Sequence, residues 1–227
     1  MIGMTVATMD RTRLKGRVMT PILTRAQVAA LTQAPADDVR RWTTGANPAV
    51  QRPTSSRHTP FTVGFAGLLE ADLLHMLSVM PGMTPRKASG ALRGLRQDYG
   101  PLALIEHPRL VTDGKHIFFY EDGDYTRVID QQGAFARVMD RYSRRLVVRD
   151  GYVQEYCPER LPIASVSPGH NGGALSLTST RTPVSAIAGM LMAGETVGTV
   201  AWEYDVPVSE VEAVERELEW AWQATAA

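Results

Sequence analysis

The sequence predicts an α+β fold, mainly α, made of tandem helix-turn-helix and winged-helix-like modules with short β-hairpins. Three observations carry this. Apolar residues recur three and four apart behind residues that cap helices, as in Thr24 before Val28 and Leu31 or Thr84-Pro85 before Ala88, Ala91, Leu92 and Leu95. Two such runs, at 23–45 and 196–222, are interrupted by a short gap that turns one helix into the next. Between them, Asp113-Gly114, Asp122-Gly123 and Asp150-Gly151 separate short apolar runs, the sequence mark of tight hairpins.

Taken in order, residues 1–20 read as a loose basic arm carrying Arg11, Arg13, Lys15 and Arg17. At 21–60 comes a helix pair and its linker. Thr24 offers its hydroxyl to the first free backbone N–H groups, and Val28 and Leu31 share one face. The partner helix starts near Pro35 or Ala36, with Asp37 and Asp38 in a first turn where the helix dipole favours negative charge. Val39 and Trp42 face the first helix, Arg40 and Arg41 point away, and Gly45 ends the helix. The turn Thr32-Gln33-Ala34 lacks glycine, so a left-handed residue there costs about 1–2 kcal/mol. This segment resembles the N-terminal helix-turn-helix of MerR-like regulators, whose pattern also ends in an arginine–aromatic pair before a glycine. An ordinary helical hairpin with solvated arginines is the competing reading.

Residues 61–160 read as a winged-helix-like middle domain. Leu68 to Met80 is apolar nearly all round and predicts a buried helix, ended by Pro81-Gly82. The next helix places Arg86, Lys87, Arg93 and Arg96 on its outer surface, and Gly90 and Gly94 leave room for another backbone. A hairpin at 109–120, a strand from Tyr125, a helix over 131–142 and a hairpin at 146–156 follow. Residues 161–227 form a C-terminal helical module for dimerisation or partner binding. Short strands flank the 168–173 loop, and helices follow from Pro183, Thr196 and Ser209; Val211, Val214, Leu218, Ala221 and Trp222 make the inner stripe of the last.

The chain has 227 residues and no net charge, yet residues 1–62 carry a net +6 and residues 195–227 a net −7. A basic front suits phosphates and an acidic end suits a different partner, most simply a protein. One cysteine, Cys157, excludes an internal disulfide and fits a reducing, cytoplasmic setting. No secretory leader and no membrane span are expected, because the first twenty residues lack an apolar run and no stretch approaches the roughly 20 apolar residues a span needs.

No catalytic set has workable spacing, so no enzyme activity is expected. His107 and His116 lack a third ligand for zinc, and Asp122 and Asp124 read as turn formers. His170-Asn171 in its glycine loop is not followed by the lysine and helix of a phosphate loop. Neither a metal nor a cofactor is expected. The DNA-contact candidates are Arg25, Arg40, Arg41, Arg86, Lys87, Arg93 and Arg96.

The C-terminal strings Gly172-Gly173-Ala174, Thr180-Arg181-Thr182-Pro183-Val184, Gly194-Glu195-Thr196 and Ala201-Trp202-Glu203-Tyr204 resemble a small bacterial domain of unknown function found in antitoxins. The middle resembles longer members of that group, through Phe65 to Leu74 and Val111-Thr112-Asp113-Gly114. A proline usual near Ala174 is missing, which bears on the loop geometry. The resemblance spans roughly residues 23 to 222. It implies a VapB-type antitoxin, a homodimer that binds its own operator DNA and blocks a PIN-domain ribonuclease toxin. It also implies an acidic toxin site that a basic group would plug, with Arg181 and the basic arm as candidates. A stand-alone transcription factor with a small-molecule pocket, and a protein-binding adaptor with no DNA contact, are the alternatives.

Overall fold

Fourteen consecutive residues, Phe65–Ser78, form a helix that is buried along almost its whole length, and five other helices pack against it. The computed structural model describes residues 11–53, 62–107, 119–121, 124–126 and 132–226. The helices are α1 Arg11–Met19, α2 Arg25–Thr32, α3 Ala36–Thr43, α4 Phe65–Ser78, α5 Pro85–Tyr99, α6 Ala103–Glu106, α7 Gln132–Ser143, α8 Val184–Met192, α9 Val197–Tyr204, α10 Val208–Arg216 and α11 Leu218–Thr225. The strands pair as four antiparallel two-stranded sheets among the described residues: β1 Pro21–Leu23 with β2 Val63–Gly64, β3 Phe119–Glu121 with β4 Asp124–Thr126, β5 Leu146–Arg149 with β6 Tyr152–Tyr156, and β7 Ala164–Ser165 with β8 Ser176–Leu177. The class is α+β, mainly α.

The local signals act as the chemistry requires. Thr24 caps α2 in a full capping box, its hydroxyl accepting from Gln27 N while the Gln27 side chain accepts from Thr24 N. Thr84 caps α5 and Pro85 opens it; Ala88, Ala91, Leu92 and Leu95 are all buried, as their spacing predicts. Asp150 and Gly151 both take positive φ between β5 and β6, the backbone of a type I′ hairpin.

Four expectations change. Residues 11–19, read as part of a loose arm, form α1, because Leu14, Val18 and Met19 fall on one helical face and are buried. Gly94 faces open space instead of a close backbone. The C-terminal helix breaks at Glu217 (φ −111°), which resets the helical phase; Trp220 is buried and Trp222 is 43% exposed. That helix pair also starts at Val208 behind Pro207, one residue before the expected cap Ser209. The 109–118 part of the expected hairpin, with His116, lies outside the described residues, as do residues 1–10 and 54–61.

The first helix pair meets the last helix. α11 lies on α2, where Trp220 Nε1 donates to Ala30 O at 2.9 Å and Gln27 Nε2 to Thr225 O at 3.2 Å. The Tyr156 hydroxyl on β6 donates to Leu31 O at 3.3 Å. The 169–173 loop seats on β1 so closely that a side chain at Gly173 (φ +88°) would run into Ile22.

Candidate nucleic-acid interface

α2 and α3 make a helix-turn-helix with a compact apolar hinge. Val28, Leu31 and Val39 are buried almost completely and Trp42 nearly so. The turn is made by Gln33 in the left-handed region (φ 60°) and Pro35 in an extended one. Behind α3 the chain folds back, and Val50 N donates to Trp42 O at 2.9 Å. Ala49 and Val50 are buried, so part of the stretch expected as linker packs behind α3.

This hairpin occurs twice in the chain at a constant offset. Thr24 matches Thr196, each hydroxyl capping its helix at the third residue on. Val28 matches Val200 and Val39 matches Val211, all fully buried. Gln33 matches Asp205 in the left-handed region, and Pro35 matches Pro207 with nearly the same dihedrals. The scaffold is shared and the outer faces differ in charge: α3 balances Asp37 and Asp38 with Arg40 and Arg41, whereas α10 is mainly acidic. Where α3 carries Arg40 and Arg41, the matching positions of α10 are Glu212 and Ala213, and Glu215 stands opposite Thr43.

Arg40 and Arg41 stand in solvent, their side chains 66% and 70% exposed. Each pairs one helical turn back, Arg40 with Asp37 at 3.2 Å and Arg41 with Asp38. Exposed pairs of this kind are worth about 0–1 kcal/mol, so a phosphate displaces the carboxylate readily. The two aspartates put negative charge at the start of α3, and its two cations lie in the second half. Arg25 is exposed at the start of α2.

On α5 the four basic candidates divide. Arg86 is exposed, and Lys87 and Arg93 are half-buried. Arg96 reaches inward, its Nη1 donating to both oxygens of the buried Glu70 at 3.1 Å. Glu70 also accepts from Gln51 N at 2.6 Å. One carboxylate thus fastens the loop behind α3 to α5. Burial pushes the Glu70 carboxyl up to about 7 against the pull of Arg96 and the Gln51 N–H. Between the loop and α5 lies a cleft of about 500 Å3 lined by Asn47, Gln51, Arg52, Arg93, Arg96 and Gln97. Sequence reasoning found Arg93 and Arg96 but missed Arg52, whose guanidinium donates to Gly45 O. No pattern in the sequence marks residue 52, because only the folding back of the loop brings it to α5.

Arg181 sits elsewhere and is engaged inside the fold. Its Nη1 and Nη2 donate to the Glu155 oxygens at 2.8 and 2.9 Å, and Glu155 is almost fully buried. The hydrogen bonds from Arg181, with those of Ser165 and the charge of Arg149, hold the Glu155 carboxyl at about 2. The expected role of Arg181 as a plug for a toxin site needs a free guanidinium, and this pair takes it up. In the adjacent loop, Asn171 Nδ2 donates to Ser176 Oγ and Arg181 O, so that amide is structural. Among the described residues no three His, Cys, Asp or Glu side chains gather as metal ligands, and no helix is long and apolar enough to cross a membrane.

No protein-family model matches the chain, and no curated protein matches it. Among solved structures it is similar to the crystal structure of Rv2018 from Mycobacterium tuberculosis, with a TM-score of 0.67 and 18% identity. The match covers 86% of this chain and 98% of that one. Likeness at that identity concerns the fold alone, and it extends over nearly the whole architecture described above.

Proposed function

We propose that this protein is a DNA-binding antitoxin that represses its own operon and neutralises a cognate PIN-domain ribonuclease. The observation that carries the DNA half is the α2–α3 hairpin, in which a buried apolar hinge holds Arg40 and Arg41 outward on the second helix. That is the arrangement by which a helix-turn-helix offers side chains to the major groove. The net +6 over residues 1–62 supports it. The antitoxin half rests on the resemblance of the C-terminal strings to an antitoxin domain and on the acidic face of the second hairpin, where phosphates are repelled and a protein partner is favoured. A dimer of this chain would read two half-sites about 34 Å apart or a multiple of that.

Two experiments test the halves separately. In a gel shift with the duplex upstream of its own gene, the protein is expected to retard DNA at low salt, and the Arg40→Ala/Arg41→Ala variant to lose affinity about tenfold or more. Absence of any shift, with or without the partner, removes the DNA half. For the other half, co-expression with the neighbouring gene is expected to restore growth when that gene encodes a toxic nuclease. A chain that neither binds nor silences it is not an antitoxin, and a shift that survives this outcome leaves a stand-alone regulator.

A further inference from the structure

We propose that the cleft between the 45–53 loop and α5 anchors a backbone phosphate of the bound duplex, beside the helix that enters the groove. This rests on the DNA-binding reading and adds a second, sequence-independent contact to it. The cleft opens next to the C-terminal end of α3: Gly45 lies two residues past that helix, and Arg52 is tied to its carbonyl. In this proposal the backbone of a duplex engaged by Arg40 and Arg41 runs past this opening.

The walls carry donors and little opposing charge. Arg93 has no hydrogen-bond or ion-pair partner among the described residues. Arg96 uses one nitrogen on Glu70, which leaves Nη2 and Nε to donate. Asn47 and Gln97 add neutral amides, and the one carboxylate of the site, Glu70, lies buried beneath Arg96. Planar guanidinium groups at both sides of an opening suit the two free oxygens of a phosphodiester better than a base edge or a carboxylate pair. The same Glu70 bonds that fix Arg96 also fix Gln51, so both walls are set before the ligand arrives and little ordering opposes binding.

The test is fluorescence anisotropy of the full chain with its own upstream duplex and with a scrambled duplex, across a salt series. Arg93→Ala is expected to weaken both duplexes by the same factor and to make the salt slope about one unit shallower; Arg52→Ala/Arg93→Ala makes it about two units shallower. Arg93→Lys is expected to keep the slope, and an unchanged near-ultraviolet circular dichroism spectrum shows that Arg93→Ala is folded. A slope unchanged in Arg93→Ala, while Arg40→Ala/Arg41→Ala still weakens binding, overturns the cleft and leaves the DNA reading standing. Failure of the unmodified chain to bind either duplex overturns both. Calorimetry with inorganic phosphate separates the remaining source. Tight, Arg93-dependent phosphate binding with no change in the DNA slope makes the occupant a free anion and overturns the proposal.

Discussion

Glu155 is an ion held in a place where an unpaired carboxylate does not survive. Arg181 grips both of its oxygens, Arg149 adds a third contact at 3.0 Å, and Ser165 donates to it as well. Removing one partner of such a pair strands the other. Arg181→Ala is therefore expected to lower stability by about 3 kcal/mol in urea unfolding, with Arg181→Lys in between because it keeps the charge and loses the fork. At this scale the sequence was informative about caps and faces and silent about engagement. Arg93 and Arg96 stand three apart on one helix and read alike. Only Arg96 finds a carboxylate, because α4 brings Glu70 beneath it from a distant part of the chain.

At the scale of elements, the two hairpins show one solution reached twice. Each needs a left-handed residue to leave its first helix, and neither uses glycine: Gln33 serves in one and Asp205 in the other. Gln33 is exposed and its side chain faces no packing demand, so Gln33→Gly is expected to raise the unfolding free energy by about 0.5 kcal/mol in urea unfolding, after the entropy of glycine is discounted. The C-terminal element carries a second prediction. Trp220 fills the space between α11 and α2 and its indole donates to Ala30 O, while Trp202 is 80% exposed. Trp220→Ala is expected to remove about 3–5 kcal/mol of stability, and Trp202→Ala to leave the unfolding curve within about 0.5 kcal/mol. The sequence marked both tryptophans as residues of helices, but the break at Glu217 that turns Trp220 inward has no glycine or proline to announce it.

For the molecule as a whole, the acidic groups of α4 set a pH dependence. Burial raises the Glu70 and Asp72 carboxyls to about 7 from their ordinary 4.5 and 3.8; the pull of Arg96 and Arg145 opposes the rise without cancelling it. A carboxyl raised in the folded state binds protons there more tightly than in the unfolded chain. Its contribution is complete below the unfolded value and is lost as the pH rises through 7. Glu155, held at about 2, works the other way, contributing above 4.5 and losing that contribution as the pH falls toward 2. Urea midpoints measured from pH 3 to pH 8 are thus expected to peak near pH 5, and Glu70→Gln is expected to flatten the decline between pH 5 and pH 8 by about half.

By itself the sequence determined the elements that local chemistry can specify: the capped amphipathic helices, the Asp150-Gly151 hairpin, the hinge of Val28, Leu31, Val39 and Trp42, and the outward Arg40 and Arg41. Side-chain period and capping depend on near neighbours, and those are written in the chain. The tertiary structure alone decided which charges stay free, that 11–19 packs as a helix, and that the 45–53 loop and α5 share a cleft. Those outcomes hang on contacts remote in sequence: Leu14, Val18 and Met19 against α4, and Glu70 against Arg96 and Gln51. The energy of a buried charge or a filled space is settled only when the surrounding elements have closed on it.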